Sequence, residues 1–138
     1  MPSTPTDKPL EKPLEKPLGL RLYRAATEAA RPFADLALQR RLKQGKEDPL
    51  RIAERRGVAG RPRPEGPLVW IHGASVGESL SVLPLVERLK QSRPSHNFLV
   101  TTGTVTSAKL MAERLPPGAF HQYIPIDHPR YVDEFLDH

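Results

Sequence analysis

The sequence predicts an open, parallel α/β domain over residues 67–138, and three observations carry that reading. Three short apolar runs, at 68–72, 97–102 and 119–124, have the length of strands covered on both faces. Between them lie two stretches of helical periodicity, at 79–91 and 106–115. Strands that alternate with helices at this spacing imply right-handed crossovers and a parallel sheet.

Each element has its own justification. The first run, Leu68-Val69-Trp70-Ile71-His72, is continuously apolar up to its histidine, and Trp70 is expected in the core. Leu80, Leu83, Val86 and Leu89 give the first helix its apolar face. Pro116-Pro117-Gly118 closes the second helix, since proline cannot continue it. A last helix is expected to open at Pro129, a favoured first position, with Tyr131, Val132, Phe135 and Leu136 facing inward. The result is a partial, Rossmann-like parallel sheet.

Upstream the character changes. Before Pro67 there are 15 Lys and Arg against 9 Asp and Glu, and from Pro67 onward 6 against 7, so the excess positive charge belongs to the leading segment. Residues 1–19 read as a disordered Pro/Lys-rich leader, because KPLEKPLEKPL at 8–18 places a proline at every fourth position. Residues 20–66 read as a basic amphipathic helix and a linker. Leu22, Ala26, Ala29, Phe33 and Leu36 recur at three and four, Arg21, Arg24, Arg31, Arg40 and Arg41 fill other faces, and a kink is expected at Pro32. Such a helix either packs on the body of its own protein or lies on an anionic membrane surface, where each basic residue contributes about 1 kcal/mol. Residues 51–66, with Pro62 and Pro64, are expected to be the linker.

Several function classes fall away. No aromatic-interleaved basic stripe or zinc spacing argues for nucleic acid, and nothing has the spacing of metal ligands. The absence of Cys excludes disulfides and thiol catalysis and fits a reducing compartment. No signal-peptide pattern and no apolar run of about 18 residues is present, so neither export nor a spanning helix is expected.

Ligands of parallel sheets sit at the carboxyl ends of the strands, here 72–79, 101–106 and 125–129. The first of these, His72-Gly73-Ala74-Ser75-Val76-Gly77-Glu78-Ser79, admits four readings. A P-loop needs four residues between its glycines and a lysine after the second, whereas three separate Gly73 from Gly77 and Glu78 replaces the cation. A nucleophile elbow fits Gly73-Ala74-Ser75-Val76-Gly77, but Asp127 and His128 are poor triad partners so close together. Ser75-x-x-Glu78 is also a capping box. Finally, Glu78 is a candidate general base on a glycine-flexed turn that a substrate hydroxyl can approach.

The stretches PLVWIHGASVGES, TTGTVTSAKLMAERL and YIPIDHP, with GKEDPLRIAERRG at 45–57, resemble the amino-terminal half of bacterial 3-deoxy-D-manno-octulosonic acid (Kdo) transferases. The resemblance covers roughly residues 20–138. It implies the amino-terminal domain of a membrane-associated GT-B glycosyltransferase of lipopolysaccharide synthesis, on the cytoplasmic face of the inner membrane. It further implies an inverting transfer in which a hydroxyl of a lipid A precursor (lipid IVA) attacks the anomeric carbon of CMP-Kdo and CMP leaves, with no metal. The Glu of the family's SVGE motif is the catalytic base and maps onto Glu78. A helix amino terminus favours the ionised carboxylate, while a base near neutrality gains from the opposite push, which bound lipid and a closing second domain would supply. The donor CMP-Kdo would bind through a carboxyl-terminal domain missing from this chain, leaving the truncated domain inactive alone.

Ser75, Gly77, Thr102, Thr104 and Asp127 are the expected substrate-binding residues around Glu78. Thr101, Thr102, Gly103 and Thr104 serve either the acceptor sugar or the cap of the next helix, Asp127 and His128 serve substrate or the start of the last helix, and His72 is expected to be structural. The family's more apolar amino-terminal anchor is here interrupted by charge, which favours surface attachment over a spanning anchor. Two alternatives stand beside the transferase: a Ser75-dependent α/β-hydrolase, and a non-catalytic lipid-binding module.

Overall fold

A computed structural model describes residues 17–138. The repeat expected as a disordered leader lies, through residue 16, outside the described residues. Strands β1 (Leu68–Gly73), β2 (Asn97–Thr102) and β3 (Ala119–Tyr123) form one sheet in the order β1-β2-β3. Both pairings are parallel, with Leu68 opposite Asn97 and Phe98 opposite Ala119. Helices α1 (Leu18–Ala29), α2 (Arg31–Lys43), α3 (Val76–Ser92), α4 (Val105–Arg114) and α5 (Pro129–Asp137) complete the regular structure, with a 3-10 helix at Ile52–Arg56.

The alternating pleat of the sheet sorts its side chains onto two faces. Phe98 and Val100 of β2 point to one face, where Leu83 and Val86 of α3 and Met111 of α4 close over them. Val69, Ile71 and Ala119 complete this core. Each fully buried side chain of this size contributes about 1.5–3 kcal/mol. Pro84 removes one hydrogen bond from α3, but the flanking Leu83 and Val86 hold the helix in place through the core. The cap residues also follow from the sequence: Ser75 starts α3, Thr104 starts α4, and Pro129 is at the first turn of α5.

The opposite face is only partly covered. Leu68, Trp70, Leu99, Phe120 and Gln122 line it, α5 contributes Phe135 and Leu136, and a cleft of about 150 Å³ remains between them. Trp70 is therefore 47% exposed and not core as expected, because α5 and residues 61–64 cover this side of β1 only in part. Its ring meets Phe135 edge-on at 5.0 Å, and its indole N–H donates to Thr101 Oγ1 at 2.9 Å.

The single kinked helix expected over 20–42 is instead two helices that part at Ala30. Pro32 has no N–H to offer Glu28, so the chain restarts with proline in the new first turn, where no donor is needed. The apolar stripe does not pack on the body. Leu22, Phe33 and Leu36 are 63%, 73% and 66% exposed, and no residue of α1 is buried. Leu38 of α2 is the buried apolar anchor, and polar residues add to the attachment: Arg24 pairs with Asp133 of α5, Arg56 Nε lies 3.1 Å from Asp35 Oδ1, and the Tyr131 hydroxyl donates to Asp35 at 3.0 Å. Burial pushes the Asp35 carboxyl up, but hydrogen bonds from Arg56 and Tyr131 outweigh it and hold the group below its ordinary value.

The expected linker is also corrected. Its first part forms the 3-10 helix Ile52–Arg56 and docks at the carboxyl end of β3. Gly57 ends that helix with φ +84°, and a Cβ there would lie 2.1 Å from the carbonyl oxygen of Tyr131. The charged residues of this segment find buried partners on the sheet, which a solvated linker lacks.

Candidate active site

The carboxyl end of β1 is built for close approach. Gly73 brings the strand against the first turn of α3, where a Cβ would stand 3.0 Å from Ser79 Oγ and 3.1 Å from Ser79 N. The Ser79 hydroxyl donates to Ser75 O at 2.7 Å and fastens the turn from inside. Ser75 Oγ accepts from Glu78 N at 3.2 Å, and Glu78 Oε2 accepts from Ala74 N at 2.8 Å. This is the reciprocal capping expected from Ser75-x-x-Glu78, except that the carboxylate reaches Ala74 and not the cap residue itself.

The geometry leaves Glu78 accessible. It is exposed, its Oε2 is held by the turn, and Oε1 has no hydrogen-bond partner among the described residues. At Gly77, an added Cβ would meet nothing nearer than Ser75 Oγ at 4.0 Å, so the space above the turn is open. A carboxylate fixed through one oxygen and free at the other can take a proton from a hydroxyl delivered from solvent.

Ser75, Gly77 and Glu78 thus share one turn, whereas the other expected site residues divide. Thr104 Oγ1 accepts from Ser107 N at 3.1 Å and caps α4. Thr102 is fully buried, with its hydroxyl 2.9 Å from His121 Nε2. Asp127 is exposed beyond β3. His128 is buried against Tyr131 with both ring nitrogens lacking hydrogen bonds, and its nearest charge is Glu28 Oε2 at 3.6 Å. His72 is exposed, and its Nδ1 lies 3.0 Å from Thr101 Oγ1. Among the described residues no histidine hydrogen-bonds Ser75, so the triad of a Ser75 hydrolase is not assembled. The described residues also contain no cluster of three or more potential metal ligands.

A buried polar cluster at the end of β3 escaped the sequence reading. Arg51 grips Glu54 with two hydrogen bonds, Nε to Oε1 at 2.9 Å and Nη2 to Oε2 at 2.8 Å. The same Nη2 donates to His121 O at 2.9 Å and lies 3.1 Å from His121 Nδ1, while Tyr123 N donates to Glu54 Oε2 at 2.8 Å. Because arginine only donates, Nδ1 of His121 accepts and Nε2–H donates to Thr102. Burial first, and the Arg51 charge second, push the His121 imidazole down to about 4. Arg55 pairs with the buried Glu47 at 3.2 Å and donates to Ile124 O, and burial depresses its guanidinium below the usual value. The available signal was Arg51 and Glu54 three residues apart, within a charge-rich stretch read as linker.

Residues 50–138 match the family described as 3-Deoxy-D-manno-octulosonic-acid transferase (kdotransferase). A probable mitochondrial 3-deoxy-D-manno-octulosonic acid transferase of Arabidopsis thaliana is 36% identical over 118 residues, covering 86% of this chain and 26% of that protein. The 3-deoxy-D-manno-octulosonic acid transferase of Rickettsia bellii is 38% identical over 118 residues, covering 86% of this chain and 28% of its own length. That of Haemophilus influenzae is 37% identical over 90 residues, or 63% of this chain and 21% of the relative. The chain spans about a quarter of the length of the first two relatives. No solved structure matches it. With the match extending from residue 50 to 138, this chain belongs to the Kdo transferase family and represents its amino-terminal domain.

Proposed function

We propose that this chain supplies the acceptor side and the catalytic base of a Kdo transferase of GT-B architecture. A hydroxyl of a lipid A precursor (lipid IVA) gives its proton to Glu78 and attacks the anomeric carbon of CMP-Kdo. The new glycosidic bond forms as the bond to CMP breaks, with inversion and without a metal. The observation that supports this reading most is the Glu78 carboxylate, exposed at the carboxyl end of β1 and hydrogen-bonded through one oxygen only. The sugar nucleotide would be held by polypeptide outside the quarter of the relatives that this chain spans. By itself the chain is expected to transfer no Kdo.

Glu78→Gln in a complete enzyme tests the base. It keeps the hydrogen bond from Ala74 but removes the basic oxygen, and the transfer rate should fall by roughly 10²–10⁴-fold. A Glu78→Gln enzyme that transfers Kdo at the parent rate would refute the role.

The same reading places the protein on the anionic cytoplasmic face of the inner membrane. No helix among the described residues is long and apolar enough to cross a bilayer. In α1 and α2, however, charged residues bind the body while Leu22, Phe33 and Leu36 face outward, with Arg21 and Arg40 exposed beside them. That polarity suits a surface-lying helix pair. The arginines would also meet the phosphates of the acceptor lipid. Flotation with phosphatidylglycerol vesicles should capture the protein, and Leu22→Glu with Phe33→Glu should release it.

A further inference from the structure

Along β1 the pleat puts Trp70 and His72 on the face opposite Val69 and Ile71, which pack on the core under α3 and α4. Trp70 and His72 are both exposed, yet both are tied to one buried residue. His72 stands opposite Thr101 in the parallel register, and Thr101 is fully buried. Trp70 Nε1 donates to Thr101 Oγ1 at 2.9 Å. His72 Nδ1 lies 3.0 Å from the same Oγ1 and 3.1 Å from Thr101 O. The imidazole is thus held through one of its nitrogens, while Nε2 has no hydrogen-bond partner among the described residues.

These contacts fix the tautomer of the ring. A backbone carbonyl only accepts, and a bare Nδ1 at 3.1 Å would set two lone pairs against each other, so Nδ1 carries the hydrogen. In the neutral imidazole that leaves Nε2 as an acceptor. It is an acceptor rigidly held, exposed and unpartnered at the carboxyl end of a parallel strand, where such sheets bind ligands. Glu78 shares that place, because Ala74, two residues after His72, donates to Glu78 Oε2 at 2.8 Å. Two residues of chain reach at most about 7 Å, so the backbone that carries the ring stays close to the N–H that holds the carboxylate. Both groups accept, and the ligand that suits the pair presents hydroxyl or amide N–H groups. The carboxylate repels an anion such as phosphate. A purely structural tie to Thr101 would need Nδ1 alone.

We propose that His72 is an acceptor-binding residue: its Nε2 accepts a hydrogen bond from one hydroxyl of the acceptor sugar and sets the orientation in which a second hydroxyl of that sugar meets Glu78. The ring transfers no proton in this role; it orients. A sugar whose hydroxyls point in other directions loses the bond, so the contact also discriminates among acceptors. That the ligand is a sugar rests on the transferase reading, whereas the tautomer and the free Nε2 rest on the contacts with Thr101.

Two substitutions in a complete enzyme separate binding from support. In His72→Asn the side-chain N–H replaces Nδ1–H and keeps the tie to Thr101, but nothing replaces Nε2. In His72→Gln the amide oxygen reaches the position of Nε2. His72→Asn should raise KM for lipid IVA about tenfold with kcat within about threefold, the loss of one hydrogen bond, and His72→Gln should recover part of it. The reverse order, with Asn at the parent KM and Gln impaired, is that of a residue which only supports the strand and would overturn the proposal. Nitrogen-15 NMR of the 138-residue chain reads the ring itself. The free neutral ring should show a protonated Nδ1 and a bare Nε2, and lipid IVA in detergent micelles should shift Nε2 and leave Nδ1 in place. A hydrogen on Nε2 in the free neutral ring, or an Nε2 signal that lipid IVA leaves unmoved, would overturn the contact even where both variants fail to fold. Protonation of Nε2 by bound lipid would assign the ring to a phosphate and overturn it equally. The spectra need no turnover and leave Glu78 intact, so an unmoved Nε2 and a silent Glu78→Gln are separate results.

Discussion

Along the β3 edge, outward backbone groups meet a bidentate Arg51–Glu54 pair, whereas along the β1 edge no such side chain among the described residues meets them, and the candidate base stands at the end of that open strand. Stability and chemistry are thus spent on different sides of one three-stranded sheet. Charged side chains are kept where the β3 edge is closed, and an exposed carboxylate stands at the end of the strand whose edge is open among the described residues. The difference also explains two corrections. The segment expected as a linker is the lock on β3, and Trp70, expected in the core, belongs to a face that the described residues leave partly bare.

Substitutions that break the closed edge should have the largest effects. Glu54→Ala leaves Arg51 without its carboxylate and Tyr123 N without an acceptor, and should destabilise the fold by about 3–5 kcal/mol in urea denaturation. Glu54→Gln retains an acceptor oxygen and should cost about half as much. A near-silent Glu54→Ala would show that β3 does not need its clamp.

Acid should weaken the same edge. His121 is held at about 4 in the fold against 6.5 in an unfolded chain, so between these values the unfolded state binds the extra proton. Stability is therefore full above pH 6.5, falls as pH drops through that window by up to about 3 kcal/mol, and levels off below it. Denaturation midpoints at pH 7, 5.5 and 4 measure the slope, and His121→Gln should flatten it.

At the open edge the effects should be smaller. Trp70→Ala should cost about 1–2 kcal/mol in this chain, against about 3–5 for a fully buried tryptophan, because half of the side chain is already in water. Ser75→Ala removes the acceptor for Glu78 N and should cost about 1 kcal/mol by thermal denaturation.

The candidate site was legible because its residues are neighbours in the chain. Gly73, Ser75, Gly77 and Glu78 fall within six residues, and a strand-to-helix turn with a capping pattern needs no distant partner to be recognised. Strands and helices were legible for the same local reason, and β2 and the start of α5 fall where the apolar run and Pro129 predict them. The burial of Thr102 was not legible, because a hydroxyl at a strand end looks alike whether it faces solvent or a neighbouring side chain. Only the pairing with β3 brings His121 to it.

The sequence alone therefore determined the alternation of strands and helices, the caps and the turn that presents Glu78, all consequences of periodicity and steric preference within a few residues. The tertiary structure decided which side of each element meets the rest. It turned Leu22, Phe33 and Leu36 of α1 and α2 outward while burying Leu38, and carried Arg51 and Glu54 about 70 residues along the chain to seal β3. Those outcomes depend on pairing between residues distant in sequence, where desolvation, charge and backbone satisfaction are settled together, and no local pattern encodes that balance.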